Sequence, residues 1–174
     1  MIFLHNMKKN SIAVKCAYLG LMIALALIFG YVESMIPINL SVPGVKLGLA
    51  NIITVLCMYL WDVRYAAAVS FIRVILSGLL FGNLFGVLYG LSGAVLSLAV
   101  MFLLKRFFSM VTVSAMGGVF HNVGQLIMAA VVLSDLNIFY YMPVLLISGL
   151  VTGVVIGILC VAIYKRIMIT SDNS

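Results

Sequence analysis

The chain has 174 residues, of which 66% are hydrophobic and 8% charged, and it carries a net charge of +6. A soluble domain of this length could not bury so much apolar surface, because its surface grows too fast relative to its volume. Nucleic-acid binding is excluded as well: Lys8, Lys9, Lys15, Arg64, Lys105, Arg106, Lys165 and Arg166 flank apolar runs, as topology determinants do, and no basic stripe interleaves with aromatics.

What remains is an all-α polytopic integral membrane bundle, for which six transmembrane helices are the most economical reading. The first runs from about Ile12 to Val32 and ends at Glu33 and Pro37. The lysines before it also fit a signal peptide, but the long apolar run leading into further spans argues for a retained helix. A second, short span follows the turn Ser41-Val42-Pro43-Gly44 and runs from about Lys46 to Leu60. Trp61-Asp62-Val63-Arg64 reads as a tight interfacial loop, with Trp61 suited to the headgroup region. Tyr65 to Leu104 is one apolar run of about 40 residues, too long for a single helix, and Phe81-Gly82-Asn83 is the best place to turn. Lys105-Arg106 closes that hairpin. The fifth span covers Val111 to Leu133 and ends near Ser134-Asp135; the sixth runs from about Pro143 to Tyr164, capped by Lys165-Arg166. The whole chain, 1–174, is expected to form one domain with polar tails at 1–10 and 168–174.

With six spans and both termini cytoplasmic, eight of the ten Lys and Arg residues fall on one side, with Lys46 outside and Arg73 inside the third span. The positive-inside rule selects this orientation in a cell membrane. Small residues recur at helical spacing as Gly82/Gly86/Gly90, Gly149/Gly153/Gly157 and Ala13/Ala17 followed by Gly20 and Ala24. Such ridges allow helices to approach closely in lipid. The two glycine ridges suit packing inside the bundle, and the Ala13/Ala17 face suits either packing or docking of a partner protein.

The polar residues inside these spans are few. Gly117, His121 and Gln125 recur every four residues and share a helical face, with Asn122 beside them. Arg73 lies about 13 Å inward from Arg64 at about 1.5 Å per residue, near the bilayer midplane and level with His121. Glu33, Asp62, Asp135 and Asp172 all fall at span ends or in loops, so Arg73 is expected to find no carboxylate at its depth. Its partners are then carbonyls, amides such as Asn122 and Gln125, water, or an anionic ligand. Asn51 and Thr54 can add polar contacts to a ligand or join helix to helix; Lys46 can attract an anion at the outer mouth, snorkel, or pair with Glu33.

Enzyme signatures are missing. There is no Walker A motif, no paired-aspartate cluster for magnesium, and no metal-ligand or CxxC spacing around Cys16, Cys57 and Cys160. Autonomous catalysis is not expected, and neither a metal nor a cofactor is implied.

Pro43-Gly44-Val45-Lys46-Leu47-Gly48-Leu49-Ala50-Asn51, Arg73-Val74-Ile75-Leu76-Ser77-Gly78 and Phe120-His121-Asn122-Val123-Gly124-Gln125 together resemble the Gx transporter family, also annotated heptaprenyl diphosphate synthase component I. The resemblance covers roughly Val14 to Lys165. The family looks related to the substrate-binding S-components of energy-coupling factor (ECF) transporters, which implies a binding and translocation subunit for a small anionic or amphipathic molecule. It also implies a coupling subunit and ATPases as partners, docked on Ala13/Ala17. The family's second name implies an alternative, an accessory membrane subunit of heptaprenyl diphosphate or isoprenoid-quinone synthesis. A scaffold in a membrane redox assembly is a third reading. The expected substrate-binding residues are Arg73, His121, Asn122, Gln125, Asn51 and Lys46.

Overall fold

An apolar chain in lipid must satisfy its backbone polar groups internally, and long runs of Leu, Ile, Val and Ala do so as helices. The structure, a computed structural model, describes residues 11–35, 48–81 and 84–172. Six helices follow in order: α1 (Ile12–Met35), α2 (Leu49–Leu60), α3 (Val63–Phe81), α4 (Leu84–Leu104), α5 (Met110–Leu133) and α6 (Met142–Asp172), with a 3-10 segment, Leu136–Tyr141, between the last two. Among the described residues there is no strand.

Five of these helices are long and apolar enough to cross a membrane, and α2 is not. Its 12 residues rise only about 18 Å, against a hydrocarbon core of about 30 Å. The expected start at Lys46 lies outside the described residues. The helix begins at Leu49 because Gly48 is left-handed, with φ 74°, a conformation that side chains rarely tolerate. Every residue from Ile52 to Met58 is buried, so α2 is the central helix of its half of the bundle rather than a lipid-facing one.

The turn after α2 is shorter than expected, Trp61 and Asp62 alone, because α3 already begins at Val63. Trp61 packs against Tyr18 of α1 (ring centroids 6.3 Å apart) and Tyr65 of α3 (5.8 Å). Asp62 accepts from the Val63 N–H at 2.7 Å. Lys105, just past α4, donates to the Met58 carbonyl and lies 5.1 Å from the centre of the Tyr59 ring, so it closes the end of α2. Burial pulls the Lys105 ammonium below its ordinary pKa, and the Asp62 charge partly opposes that.

Helix α3 ends at Phe81 and α4 begins at Leu84, on either side of the place where the long apolar run is expected to turn; Gly82 and Asn83 themselves lie outside the described residues. Ser109 caps α5 by accepting from the Thr112 N–H at 3.3 Å, and left-handed Ser134 ends it. The sixth helix corrects the expected boundary: it continues past Lys165 and Arg166 to Asp172. At 31 residues it rises about 46 Å, longer than a bilayer core requires. A helix can leave lipid without ending, because basic residues are good helix formers.

The glycine ridge of α6 packs on α5. A Cβ at Gly153 would stand 2.7 Å from the Ala115 Cα, one at Gly157 2.7 Å from the Val111 Cα, and one at Gly149 2.8 Å from the Gly118 carbonyl oxygen. Gly124 of α5 meets the Ser92 carbonyl of α4 in the same way, at 2.6 Å. A Cβ at Gly90 would instead meet a side chain, the Val74 Cγ1 of α3 at 2.6 Å; Gly82 lies outside the described residues.

Candidate functional site

Five of the six residues expected to bind substrate line one cavity of about 260 Å³ within the bundle: Asn51, Arg73, His121, Asn122 and Gln125. Lys46 lies outside the described residues. Each helix contributes for a local reason. On α5 the four-residue repeat of Gly117, His121 and Gln125 turns one face inward, and all three line the cavity. On α3 Arg73 and Ser77 lie one turn apart and do the same. Asn51 comes from the first turn of α2, and Thr152 from α6. Thr54 is buried away from the cavity, its hydroxyl without a partner.

Glu33, expected to mark only a span end, also enters the site. It lines the same cavity as Arg73. The reason is the face it occupies on α1. Leu19, Met22, Ile23, Ala26 and Phe29 pack toward the core, and Glu33 continues that stripe one turn further. Its carboxylate accepts from the N–H of Gly48 at 2.6 Å and of Leu49 at 3.0 Å, capping the start of α2 from another helix. A helix N-terminus carries a partial positive charge of about half an elementary charge. The Glu33 carboxylate therefore offsets that partial charge at the cavity wall.

The Arg73 Nε is buried and has no hydrogen-bond partner. Within lipid such a group is costly to leave unmatched, and a planar guanidinium suits a carboxylate or phosphate. Asn122 has a different task. Its Nδ2 donates to the Leu145 carbonyl at 2.7 Å and toward the Ser148 hydroxyl at 3.4 Å, so its amide joins α5 to α6 at the cavity wall. Gln125 and His121 pack against α4 at Gly93, where a Cβ would fall 2.9 Å from the His121 Cε1 and 3.0 Å from the Gln125 Cγ.

Ala13 and Ala17 are exposed on α1 and remote from the cavity. Cys57 and Cys160 are buried free thiols and Cys16 an exposed one. Among the described residues no three His, Cys, Asp or Glu side chains gather as metal ligands would.

The family model described as heptaprenyl diphosphate synthase component I matches residues 22–163. That stretch contains every residue lining the cavity and leaves out Ala13 and Ala17. No curated protein and no solved structure matches the chain.

Proposed function

The chain belongs to the heptaprenyl diphosphate synthase component I family, and from that premise we propose that it is a membrane-embedded binding subunit whose central cavity takes the polar end of a small anionic or amphipathic molecule. One observation carries this reading: a guanidinium with an unpartnered Nε faces a polar cavity inside an otherwise apolar bundle. Arg73 is the anion-binding group, with Asn51, His121 and Gln125 completing its surroundings. Asn122 holds the wall, and Glu33 is a positioning residue that fixes the start of α2. Lys46 is proposed to attract the anion toward the cavity.

The test is native mass spectrometry of the protein released from membranes. A co-purifying small molecule is expected on the wild type and should be missing from Arg73→Ala, while both proteins remain folded. Equal ligand retention by the variant would overturn the assignment.

The family's name supports a second reading, in which the bound molecule is an intermediate of heptaprenyl diphosphate synthesis and the partner is a prenyl synthase component. Adding the reconstituted protein to that soluble component should then alter product formation. The exposed Ala13/Ala17 face supports a protein partner in either case, and an ECF-type coupling subunit with its ATPases is the one proposed for transport in a bacterial cytoplasmic membrane. Recovery of an ATPase pair with the native protein would favour transport over synthesis.

A further inference from the structure

The polar cavity does not end at Gln125. A second chamber of about 480 Å³ shares Gly86, Gly90, Asn122 and Gln125 with it as a common wall. Beyond that wall the lining becomes almost wholly apolar, with Leu126, Ala129 and Leu133 of α5, Ile138 of the 3-10 segment and Leu145 of α6. The change has a simple origin in sequence. The face of α5 that carries His121 and Gln125 continues one turn later as Ala129 and another as Leu133, so one helical stripe passes from polar to apolar. At the shared wall α4 presents glycines rather than side chains, which leaves the two spaces adjoining. Leu133 and Tyr141 are exposed at the rim, toward the Ser134 end of the bundle.

We propose that the two chambers form one bipartite site for an oxyanion-headed amphiphile, its head at Arg73 and its single hydrocarbon tail in the chamber lined by Ala129, Leu133 and Ile138. This rests on the reading that the Arg73 cavity binds a ligand, and adds the shape of that ligand. Lipid is as apolar as the chamber, so burying the tail there releases little free energy by itself. The tail's contribution comes from tethering: once the head is held, the tail meets its chamber at high effective concentration. Selectivity for one chain over two follows from the chamber's size and position beside α5.

Thermal melting of the protein in phosphatidylcholine nanodiscs tests this with two probes, ethyl phosphate and decyl phosphate. The wild type should respond to decyl phosphate at concentrations at least tenfold lower than to ethyl phosphate. Ala129→Trp and, separately, Leu133→Trp should erase that difference while keeping the ethyl phosphate response, which also certifies their folding. Arg73→Gln should lose both responses. A decyl preference that survives both tryptophans, or no preference at all, overturns the bipartite site while ethyl phosphate binding at Arg73 still upholds the cavity as a binding site. If the wild type ignores both probes, or Arg73→Gln answers them as the wild type does, the reading beneath it fails too. Nanodiscs doped with lysophosphatidylglycerol separate the two sources of such a ligand: competition with decyl phosphate assigns a single-chain bilayer lipid, and its absence assigns a free single-chain amphiphile.

Discussion

Helices α4, α5 and α6 meet backbone to backbone, at Gly93 and Gly124 on one side of α5 and at Gly118, Gly149, Gly153 and Gly157 on the other. Helix α1 is held differently: Ala26 is its one buried residue, and a Cβ at Gly20 would meet nothing within 4 Å. Both regions repeat small residues every three or four positions, so the spacing alone does not say what a ridge is for. In the first region the ridge is consumed by neighbouring helices. In the second it faces outward, and the contact between α1 and the rest rests on larger side chains and on Glu33.

The comparison is easiest to break at the glycines. Gly153→Leu places a side chain against the Ala115 backbone, which cannot give way as a flexible side chain can. Overpacking of a tight contact costs about 1–3 kcal/mol and sometimes more, and this site should reach the upper part of that range. The readouts are the yield of monodisperse protein and its melting in detergent. A variant that melts like the wild type would mean that α5 and α6 separate easily, and the contrast with α1 would dissolve.

Glu33→Gln probes the polar link between α1 and the start of α2. The substitution keeps an acceptor but loses the charge that binds two backbone N–H groups. Hydrogen bonds to charged groups contribute about 1.5–3 kcal/mol, part of which the amide retains, so a loss of about 1–2 kcal/mol in melting is expected. Hydrogen exchange should rise at the first turn of α2 and stay unchanged in α5 and α6. Exchange that rises evenly through the bundle would deny Glu33 its local role.

This carboxylate also marks where the sequence ceased to be legible. The division of the long apolar run into α3 and α4, the extent of α5 and the inward face of Gly117, His121 and Gln125 follow from apolar run length and from helical period. Glu33 stands in the last turn of α1, at the span end expected of it, and the stripe Met22, Ala26, Phe29 turns it inward as well. Reading faces as well as depths would have found it. Two features had no such signal. The late start of α2 depends on the left-handed Gly48, and the preference of Asn122 for the Leu145 carbonyl depends on how closely α5 and α6 approach. The apolar chamber was equally hidden, since Ala129 and Leu133 look like ordinary lipid-facing residues until α4 and the 3-10 segment are beside them.

A smaller effect is expected at Lys105, which closes the α2 end beside the Tyr59 ring. Lys105→Met keeps the aliphatic stem but removes the donor to the Met58 carbonyl and the cation over the ring. Exposed cation–π contacts contribute about 0.5–1 kcal/mol, and removing the partly buried charge recovers some desolvation cost, so the net loss should be about 1 kcal/mol at neutral pH. Because the folded-state pKa is depressed, the charged lysine carries that desolvation cost below its folded pKa, and the cost is relieved as the pH rises through it. The deficit of the variant relative to wild type therefore has contributions of opposite sign, and melting measured across the alkaline range separates them.

The smallest effect on stability, and the sharpest on assembly, belongs to Ala17→Leu. The site is exposed on α1, and substitutions away from packed contacts stay within about 0.5 kcal/mol. Melting and ligand retention should match the wild type. If the Ala13/Ala17 face docks a partner helix, the added side chain holds that helix away, and the native complex should fall apart while the isolated protein is unaltered. A drop in melting comparable to that of Gly153→Leu would instead place the Ala17 face among the consumed ridges. An intact complex with unchanged melting would leave α1 facing only lipid, and the partner would then have to approach from another helix.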